Sequence, residues 1–322
     1  MISRRILLSG AVAVGAASVT RANAQTYPDK PIKMIVPFPP GGPIDTMGRL
    51  AAKFISDSVG QVVVENRPGA GSTIGSKAVA ASAPDGYTLM FGSSGSLAVA
   101  PSLYVNAGID PQKMFSPIAT FALLPHVMIV PEHVPAKTVA EFIAYAKAND
   151  GKLNYGGGLG TPPYLLSSLF IRRAGLNITY IPSQGAAQSV NDLLGGRTHF
   201  LIDGTVILLP QVRAGKFRAI AMARAERWPE LPNVPTLVES GFPEFVLDAW
   251  TGLVAPRGTP EPILARLNAA INTGLKSAEA KTTLDRFSSI AKIGTPAEFG
   301  AFIVDQGKRW GDLVKLTGAK VE

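Results

Sequence analysis

Short runs of glycine and hydroxyl-bearing residues recur in this chain, and each run follows an apolar, β-rich stretch. Glycine lets a ligand approach the backbone, and a helix that begins just after it presents unpaired N–H groups and a partial positive charge. Two such loops facing each other could bind a carboxylate, although each could also be only a tight turn. None of these loops contains Lys or Arg, so backbone amides and hydroxyls would hold the acid. The loops are residues 39–43, 92–95, 156–160, 182–185 and 203–205.

Two aspartates stand close to these loops. Asp203 ends an otherwise apolar stretch, and two interpretations of it remain open. It could accept a hydrogen bond from a ligand hydroxyl, an ammonium group or a bridging water, or it could cap a helix over residues 206–212. Asp45 falls in the first turn after the first loop, where we expect it to cap the helix and oppose the helix dipole.

The residue types needed for common enzyme chemistry do not assemble into a motif. The absence of cysteine excludes disulfides, thiolate metal sites and cysteine nucleophiles. The segment around residues 69–75 does not match a dinucleotide-binding motif, because Ile74 occupies the position of the third glycine. It does not match a nucleophile elbow either, because Thr73 occupies the position of the serine. No histidine has a partner at metal-ligand spacing, and we expect structural roles for His126, His133 and His199. We therefore predict no catalytic residue, no metal and no cofactor.

Strands and helices alternate along the chain, which predicts an α/β protein with parallel sheets. In such sheets ligands bind outside the carboxyl ends of the strands, where the glycine-rich loops fall. The order strand, loop, helix occurs three times in each half. The predicted strands are residues 32–38, 62–65 and 87–91 in the first half, and 153–155, 178–181 and 199–202 in the second. The apolar stretches 118–130 and 246–256 are predicted to be crossover strands between the halves.

The N-terminal residues resemble an export signal. Arg4 and Arg5 precede an apolar stretch over residues 6–19, and Ala22 and Ala24 form a small-x-small cleavage site. We therefore predict that residues 1–24 are a signal peptide and that the mature protein is periplasmic. Both the twin-arginine and the Sec export routes fit this segment.

The formal net charge is +8, and removal of the three arginines in residues 1–24 would leave +5. The remaining basic residues are scattered rather than clustered, which predicts a solvated surface and no nucleic-acid partner. A mild positive field would also help to attract anionic solutes.

Several ordered motifs resemble the Bug (TctC) family, the extracytoplasmic receptors of tripartite tricarboxylate transporters. The resemblance covers the whole mature chain. The motifs are YPDKPI at residues 27–32, VPFP at 36–39, VENRPGAG at 64–71, PDGYTL at 84–89, GKLNY at 151–155, DLLGG at 192–196 and LPNVPT at 231–236.

The resemblance implies a periplasmic-binding-protein fold, in which two α/β lobes joined by two crossovers enclose a ligand cleft. We expect one lobe to contain residues 25–122 and 252–322, and the other residues 123–251. The family's anion loops fall on residues 38–42 and 156–161, its serine-rich loop on 93–94 and its aspartate on 203. The predicted ligand-binding residues, including two from the loop at 182–185, are Phe38, Pro39, Pro40, Gly41, Gly42, Ser93, Ser94, Gly156, Gly157, Gly158, Gly160, Thr161, Ser183, Gln184 and Asp203.

This sequence departs from the family pattern in both anion loops. The first loop usually reads Ala-Gly-Gly-Gly-Thr, but here Pro43 and Ile44 follow the glycines. The second is usually rich in Ser and Asn, but here Pro162, Pro163 and Tyr164 follow it. Fewer hydroxyls and an added ring predict a pocket less polar than a citrate site requires.

The function implied is that of a monomeric periplasmic receptor that captures a small carboxylate and delivers it to the membrane subunits of a transporter. The resemblance implies di- or tricarboxylates, acidic amino acids, aromatic acids or nicotinate-like compounds as ligands. Two alternatives remain open. One is a periplasmic enzyme acting on a small acid, and the other is a ligand-loaded activator of a membrane sensor kinase.

Overall fold

The computed structural model describes residues 27–159, 161–183 and 185–319, so the predicted signal peptide lies outside the described residues. The strands, in chain order, are β1 (Ile32–Val36), β2 (Val62–Asn66), β3 (Thr88–Ser93), β4 (Phe115–Leu124), β5 (His126–Pro131), β6 (Leu153–Gly157), β7 (Ile178–Pro182), β8 (Leu201–Gly204), β9 (Phe217–Met222), β10 (Ala249–Pro256) and β11 (Ile290–Ala291). The helices are α1 (Pro43–Ser58), α2 (Thr73–Ala80), α3 (Ala100–Leu103), α4 (Pro111–Met114), α5 (Val139–Ala148), α6 (Pro162–Ala174), α7 (Ala186–Leu194), α8 (Thr205–Arg213), α9 (Glu261–Gly274), α10 (Ala278–Arg286) and α11 (Pro296–Thr317).

Two sheets repeat one strand order. The first sheet runs β11-β4-β10-β3-β1-β2, with β1 parallel to β2 and β3. The second combines β8-β5-β9 with the parallel pair β6-β7, and a parallel bridge between Tyr155 and Phe200 joins them into the order β7-β6-β8-β5-β9. Strand β6 therefore corresponds to β1, β7 to β2 and β8 to β3. The loops after β1 and β6 consequently occupy equivalent places in their sheets.

Helix starts follow the local signals in the sequence. Thr295 and Glu298 form a complete capping box at the start of α11, and the Thr138 hydroxyl accepts the backbone N–H of Glu141 at the start of α5. Both starts therefore lie where the capping spacing of Thr and Glu in the sequence indicates. Helix α9 begins just after Pro260 and has Pro262 in its first turn, where a proline needs no hydrogen bond.

The two predicted crossovers are confirmed as buried strands that connect the sheets. Strand β4 leads to β5 through Pro125, and the chain returns to the first sheet through β10. His126 joins the crossovers, because its Nδ1 lies 2.9 Å from the carbonyl oxygen of Leu247. Helix α11 packs against β4, α3 and α6, with Trp310 fully buried.

Some strand boundaries differ from the sequence expectation. Strand β3 continues to Ser93, and β8 covers Leu201–Gly204 rather than residues 199–202, so Asp203 lies within a strand instead of after one. The antiparallel pairing of β8 with β5, which sets Asp203 opposite Val127, fixes this register. Periodicity could not supply it, because pairing partners far apart in sequence decide where a short strand ends.

In the part of the chain that the structure describes, no helix has both the length and the apolar character needed to cross a bilayer.

Gly252 on the β10 crossover tests the packing between the first sheet and α11. A Cβ at Gly252 would lie 2.3 Å from Cζ of Phe299 and 2.8 Å from the carbonyl oxygen of Ala119. We expect Gly252→Ala to lower the free energy of unfolding by about 1–3 kcal/mol, as overpacking does. Urea unfolding measures this change.

The matched control is Gly307→Ala on α11. A Cβ there would meet nothing within 4 Å, and the position is helical. The control should therefore gain about 0.5–1 kcal/mol from helix propensity. A neutral Gly252→Ala variant would contradict the packing described.

Candidate ligand-binding site

A cavity of about 360 Å³ lies between the loops of the two sheets. The loops after β1 and β2, the segment after β3 and the start of α6 form its walls, so strand ends from both sheets meet there. Its lining consists of Pro37, Phe38, Pro39, Pro68, Gly69, Gly71, Ser72, Gly95, Val99, Ala100, Leu103, Tyr104, Leu159, Thr161 and Pro162.

The surface of the cavity is mainly apolar. Among the described residues that line it, no side chain is charged. Its polar groups are largely committed to local hydrogen bonds. The N–H and hydroxyl of Thr161 both donate to the carbonyl of Gly158, and the N–H and hydroxyl of Ser72 donate to the carbonyls of Gly69 and Gly71.

The loop after β1 is held by the carboxylate of Asp45. Asp45 Oδ2 accepts the backbone N–H of Gly41 at 2.8 Å and Nε of Arg49 at 3.0 Å, while Oδ1 accepts Nδ2 of Asn66 at 2.8 Å. Asn66 also donates to the carbonyl of Phe38 at 3.0 Å. The loop is therefore fixed both to α1 and to the end of β2. The predicted place of Asp45 in the first turn of the helix is confirmed.

These contacts decide the charge state of Asp45. Burial alone would raise the pKa of its carboxyl, but hydrogen bonds from Arg49, Gly41 and Asn66 outweigh burial and hold the pKa below its usual value. Asp45 is therefore ionised at neutral pH and opposes the positive end of the α1 dipole.

Helix α1 offers only a few N–H groups to a ligand. Its N-cap is Gly42, which has no side-chain cap, and Pro43 at the first helical position lacks an N–H. The N–H of Gly41 is already bound to Asp45. The first turn can therefore offer the N–H groups of Gly42, Ile44 and Asp45, which have no acceptor within the helix.

A strained turn forms the wall after β2. Ala70, Gly71 and Ser72 follow one another with φ values of +44°, +59° and +77°. A Cβ on Gly71 would lie 2.2–2.5 Å from the ring and hydroxyl of Tyr104, so only glycine permits this close approach. Positive φ values at Ala and Ser cost free energy, and such strain concentrates at binding sites.

Prolines remove two N–H donors just after the loop that follows β6. Helix α6 begins with Pro162 and Pro163, neither of which has an N–H, after an N-cap at Thr161. Gly157 has φ +148°, and a Cβ there would lie 2.9 Å from the backbone N of Tyr164. The carbonyl of Gly157 accepts the hydroxyl of Tyr180 at 2.8 Å and the N–H of Ser183 at 3.2 Å. Backbone packing rather than free hydroxyls therefore shapes this loop.

Asp203 is buried, and one of its oxygens has no partner among the described residues. Oδ1 accepts the N–H of Gly204 at 2.6 Å, whereas Oδ2 is unpaired. The interpretation of Asp203 as a helix cap is wrong, because the N-cap of α8 is Gly204 and the cap makes no side-chain hydrogen bond. Burial raises the pKa of Asp203 to about 7, and the bond from Gly204 offsets only part of this rise.

The three histidines lie away from the cavity lining. Burial lowers the pKa of His126 to about 4, so its neutral ring donates from Nδ1 to Leu247 at the crossovers. His133 and His199 have ring centroids 6.2 Å apart, and Nδ1 of His199 accepts the backbone N–H of Asn154. Within the described ranges no group of three or more metal-ligating side chains comes together.

The structure brings some of the predicted residues to the cavity and not others. Phe38, Pro39 and Thr161 line it. Gly160 and Gln184 lie outside the described residues. The predicted residues that are not part of the lining are Pro40, Gly41, Gly42, Ser93, Ser94, Gly156, Gly157, Gly158, Ser183 and Asp203.

Most of these remaining groups have structural partners. The hydroxyl of Ser93 accepts the N–H of Gly95 at 3.2 Å, and that of Ser94 accepts the N–H of Trp250 at 3.4 Å. The hydroxyls of Ser183 and Ser189 lie 2.6 Å apart.

Sequence reasoning missed the wall formed by Val99, Ala100, Leu103 and Tyr104. Val99 ends a π-helical turn over Gly95–Val99, which continues into α3 with Ala100 and Leu103. Their apolar pattern is indistinguishable in sequence from that of a core helix. The only sequence feature that indicates a place in the cavity wall is the position of this segment just after the loop that follows β3.

The role of Asp45 can be tested by deletion of its carboxylate. We expect Asp45→Ala to lower the free energy of unfolding at neutral pH by about 1–3 kcal/mol, because a buried N–H and amide lose their acceptor. Asp57→Ala is the matched control, since Asp57 forms an exposed pair with Lys53 on the same helix. The control should change stability by less than about 1 kcal/mol in urea unfolding. Equal losses in the two variants would contradict the role of Asp45.

The unpaired oxygen of Asp203 predicts a pH-dependent effect on stability. The pKa of Asp203 is about 7 in the folded protein, well above that of an aspartate in the unfolded chain. The native state therefore holds the proton more tightly, and its relative stability falls as pH rises from the unfolded pKa to about 7. Asn resembles the protonated acid at every pH. Asp203→Asn should therefore gain stability relative to the wild type as pH rises, on the order of 2–4 kcal/mol at about pH 8.

The matched control is Asp110→Asn. The side chain of Lys113 holds the pKa of Asp110 below its usual value. The ionised aspartate therefore stabilises the wild type, and the Asp110→Asn variant should lose stability relative to the wild type as pH rises. Urea unfolding of both variants and the wild type at several pH values gives the comparison. A pH-independent difference for Asp203→Asn would contradict the burial of an unpaired carboxyl.

Known proteins resemble this chain in sequence over most of its length. The family model described as "Tripartite tricarboxylate transporter family receptor" matches residues 47–319. Protein BugT of Bordetella pertussis is 37% identical over 324 residues, which cover 100% of this chain and 99% of BugT.

Several solved structures have the same fold as this chain over most of its length. The periplasmic binding protein BugD is 33% identical with a TM-score of 0.75, and the match covers 92% of this chain and 100% of BugD. R. palustris Rpa4515, solved with adipate, is 33% identical with a TM-score of 0.77, over 91% of this chain and 98% of that protein. The predicted periplasmic-binding-protein fold with two lobes is confirmed. This chain belongs to the tripartite tricarboxylate transporter receptor family.

Proposed function

We propose that this protein is a periplasmic receptor that captures a small organic carboxylate and delivers it to the membrane subunits of a tripartite transporter. The observation that carries the proposal is the cavity between two equivalent strand-end loops, after β1 and after β6. Rpa4515, a relative of the same fold, was solved with the dicarboxylate adipate. A carboxylate is therefore the class of ligand that both the loops and the relative favour.

The lobes that we propose are residues 25–122 with 252–322, and residues 123–251. The membership of the two sheets supports this division, because β1–β4, β10 and β11 share one sheet and β5–β9 belong to the other. A ligand that touches both lobes stabilises the closed arrangement, since its contacts differ between the open and closed forms. The closed form is the signal that membrane subunits recognise.

The proposed binding residues are those of the strand-end loops. On one side, the N–H groups of Gly42 and Ile44 at the start of α1 lie just after the lining residues Phe38 and Pro39. On the other side, Thr161 lies at the start of α6. We propose that the carboxylate binds at the α1 terminus, where the helix dipole favours an anion.

We propose binding without catalysis, by a monomer that uses no cofactor and no nucleic acid. The hydroxyls of Ser72 and Thr161 donate to backbone carbonyls, and among the described lining residues none supplies a His, Lys, Asp or Glu to activate them. A nucleophile without a base lacks the arrangement that covalent catalysis requires. Export of the chain and cleavage before Gln25 belong to the same proposal.

Calorimetric titration with a panel of mono-, di- and tricarboxylates tests the proposal. At least one member should bind, be recovered unchanged and compact the protein in small-angle scattering. Affinity should change by less than about tenfold between low and high ionic strength, because amide contacts in a closed cleft are poorly screened. The absence of binding, or recovery of a converted acid, would contradict the proposal. A hundredfold loss of affinity in high salt would instead indicate an exposed basic site.

A further inference from the structure

The apolar wall of the cavity restricts what the ligand can be. Leu103, Val99, Tyr104, Leu159 and Pro68 present hydrocarbon or ring surface to its interior. Leu159 is 52% exposed although it is a large apolar residue, so it can contribute apolar contact to an occupant. Transfer of apolar ligand surface from water to such a wall is favourable.

Hydrogen-bond donors are few on both sides of the cavity. Pro43, Pro162 and Pro163 occupy the first positions of α1 and α6, where N–H groups would otherwise be free. The N–H of Gly41 is bound to Asp45, and the N–H and hydroxyl of Thr161 are bound to Gly158. The first turn of α1 therefore keeps the N–H groups of Gly42, Ile44 and Asp45, whereas the first turn of α6 keeps only that of Tyr164.

The arginine side chains near the first turn of α1 already have partners. Arg49 donates to Asp45 and Asn66, and Arg67 donates to Glu65. The only ionisable side chain among the predicted ligand-binding residues, Asp203, is an acid. Among the described residues that line the cavity, no cation is therefore available to pair with a second carboxylate.

From this arrangement we infer that the ligand carries a single carboxylate on an apolar body. The inference rests on the proposed function and narrows it. The carboxylate binds at the α1 terminus, while the body fills the cavity between Leu103, Tyr104 and Leu159. A second carboxylate would be buried against this wall without a partner, which strongly disfavours the charged form.

The size of the cavity limits the apolar body. About 360 Å³ is near the lower end of the range for small-molecule pockets, so the body is a single ring or a short hydrocarbon chain. Hexanoate and adipate have the same number of carbons and differ only in the second carboxylate. They are therefore matched probes for the inference, and 3-phenylpropionate adds a ring.

Calorimetry with these three acids provides the test on the full mature chain. We expect the tighter of hexanoate and 3-phenylpropionate to bind at least about tenfold more tightly than adipate. An advantage of less than about tenfold for the tighter monocarboxylate over adipate would overturn the inference while leaving the proposed function intact. Failure of every carboxylate in the wider panel to bind would overturn the proposed function as well.

Leu159→Lys provides an independent test, because it adds a cation to the apolar wall at an exposed position. Adipate should bind this variant at least about fivefold more tightly than it binds the wild type, since the new ammonium pairs with the second carboxylate. Leu194→Lys is the control, as Leu194 is 42% exposed and lies outside the cavity lining.

The control should leave the ratio of hexanoate to adipate affinity unchanged. An equal gain in adipate affinity in both variants would show a general effect of charge and would count against the inferred apolar wall.

Discussion

The bound carboxylate of Asp45 is the interaction on which the site depends. It joins the loop after β1, the first turn of α1 and the end of β2 through Gly41, Arg49 and Asn66. These bonds keep the carboxyl ionised although it is buried. They also use the N–H of Gly41, so the remaining free amides lie in the first helical turn. Asp45 thus fixes the loop after β1 and also reduces the number of N–H groups that this loop can offer to an anionic ligand.

The repeated sheet order explains why a second loop faces the first. Because β6 corresponds to β1, the start of α6 lies across the cavity from the loop after β1. The two helix starts are not chemically equivalent, since α6 begins with two prolines and α1 with one. The equivalent topology therefore gives two helix starts that differ in the number of N–H groups left free for a ligand.

The fold follows closely from the sequence, because caps and strand-helix alternation are local signals. The spacing of Thr295 and Glu298 predicts the start of α11. Phe38, Pro39 and Thr161, which the family motifs place in the ligand-binding loops, line the cavity. Other features depend on distant contacts. The register of β8 against β5 sets Asp203 within a strand, and the approach of Tyr104 to Gly71 creates a wall that no sequence motif marks. Such contacts join residues far apart in the chain, so periodicity carries no information about them.

The central claim is that one end of the ligand is held by backbone amides and the other by hydrocarbon. A crystal structure of the protein with 3-phenylpropionate tests it most directly. The account predicts carboxylate oxygens within hydrogen-bond distance of the N–H groups of Gly42 or Ile44, and the phenyl ring against Leu103, Tyr104 or Leu159. A carboxylate paired with an arginine or lysine side chain, or a ring directed away from this wall, would contradict it.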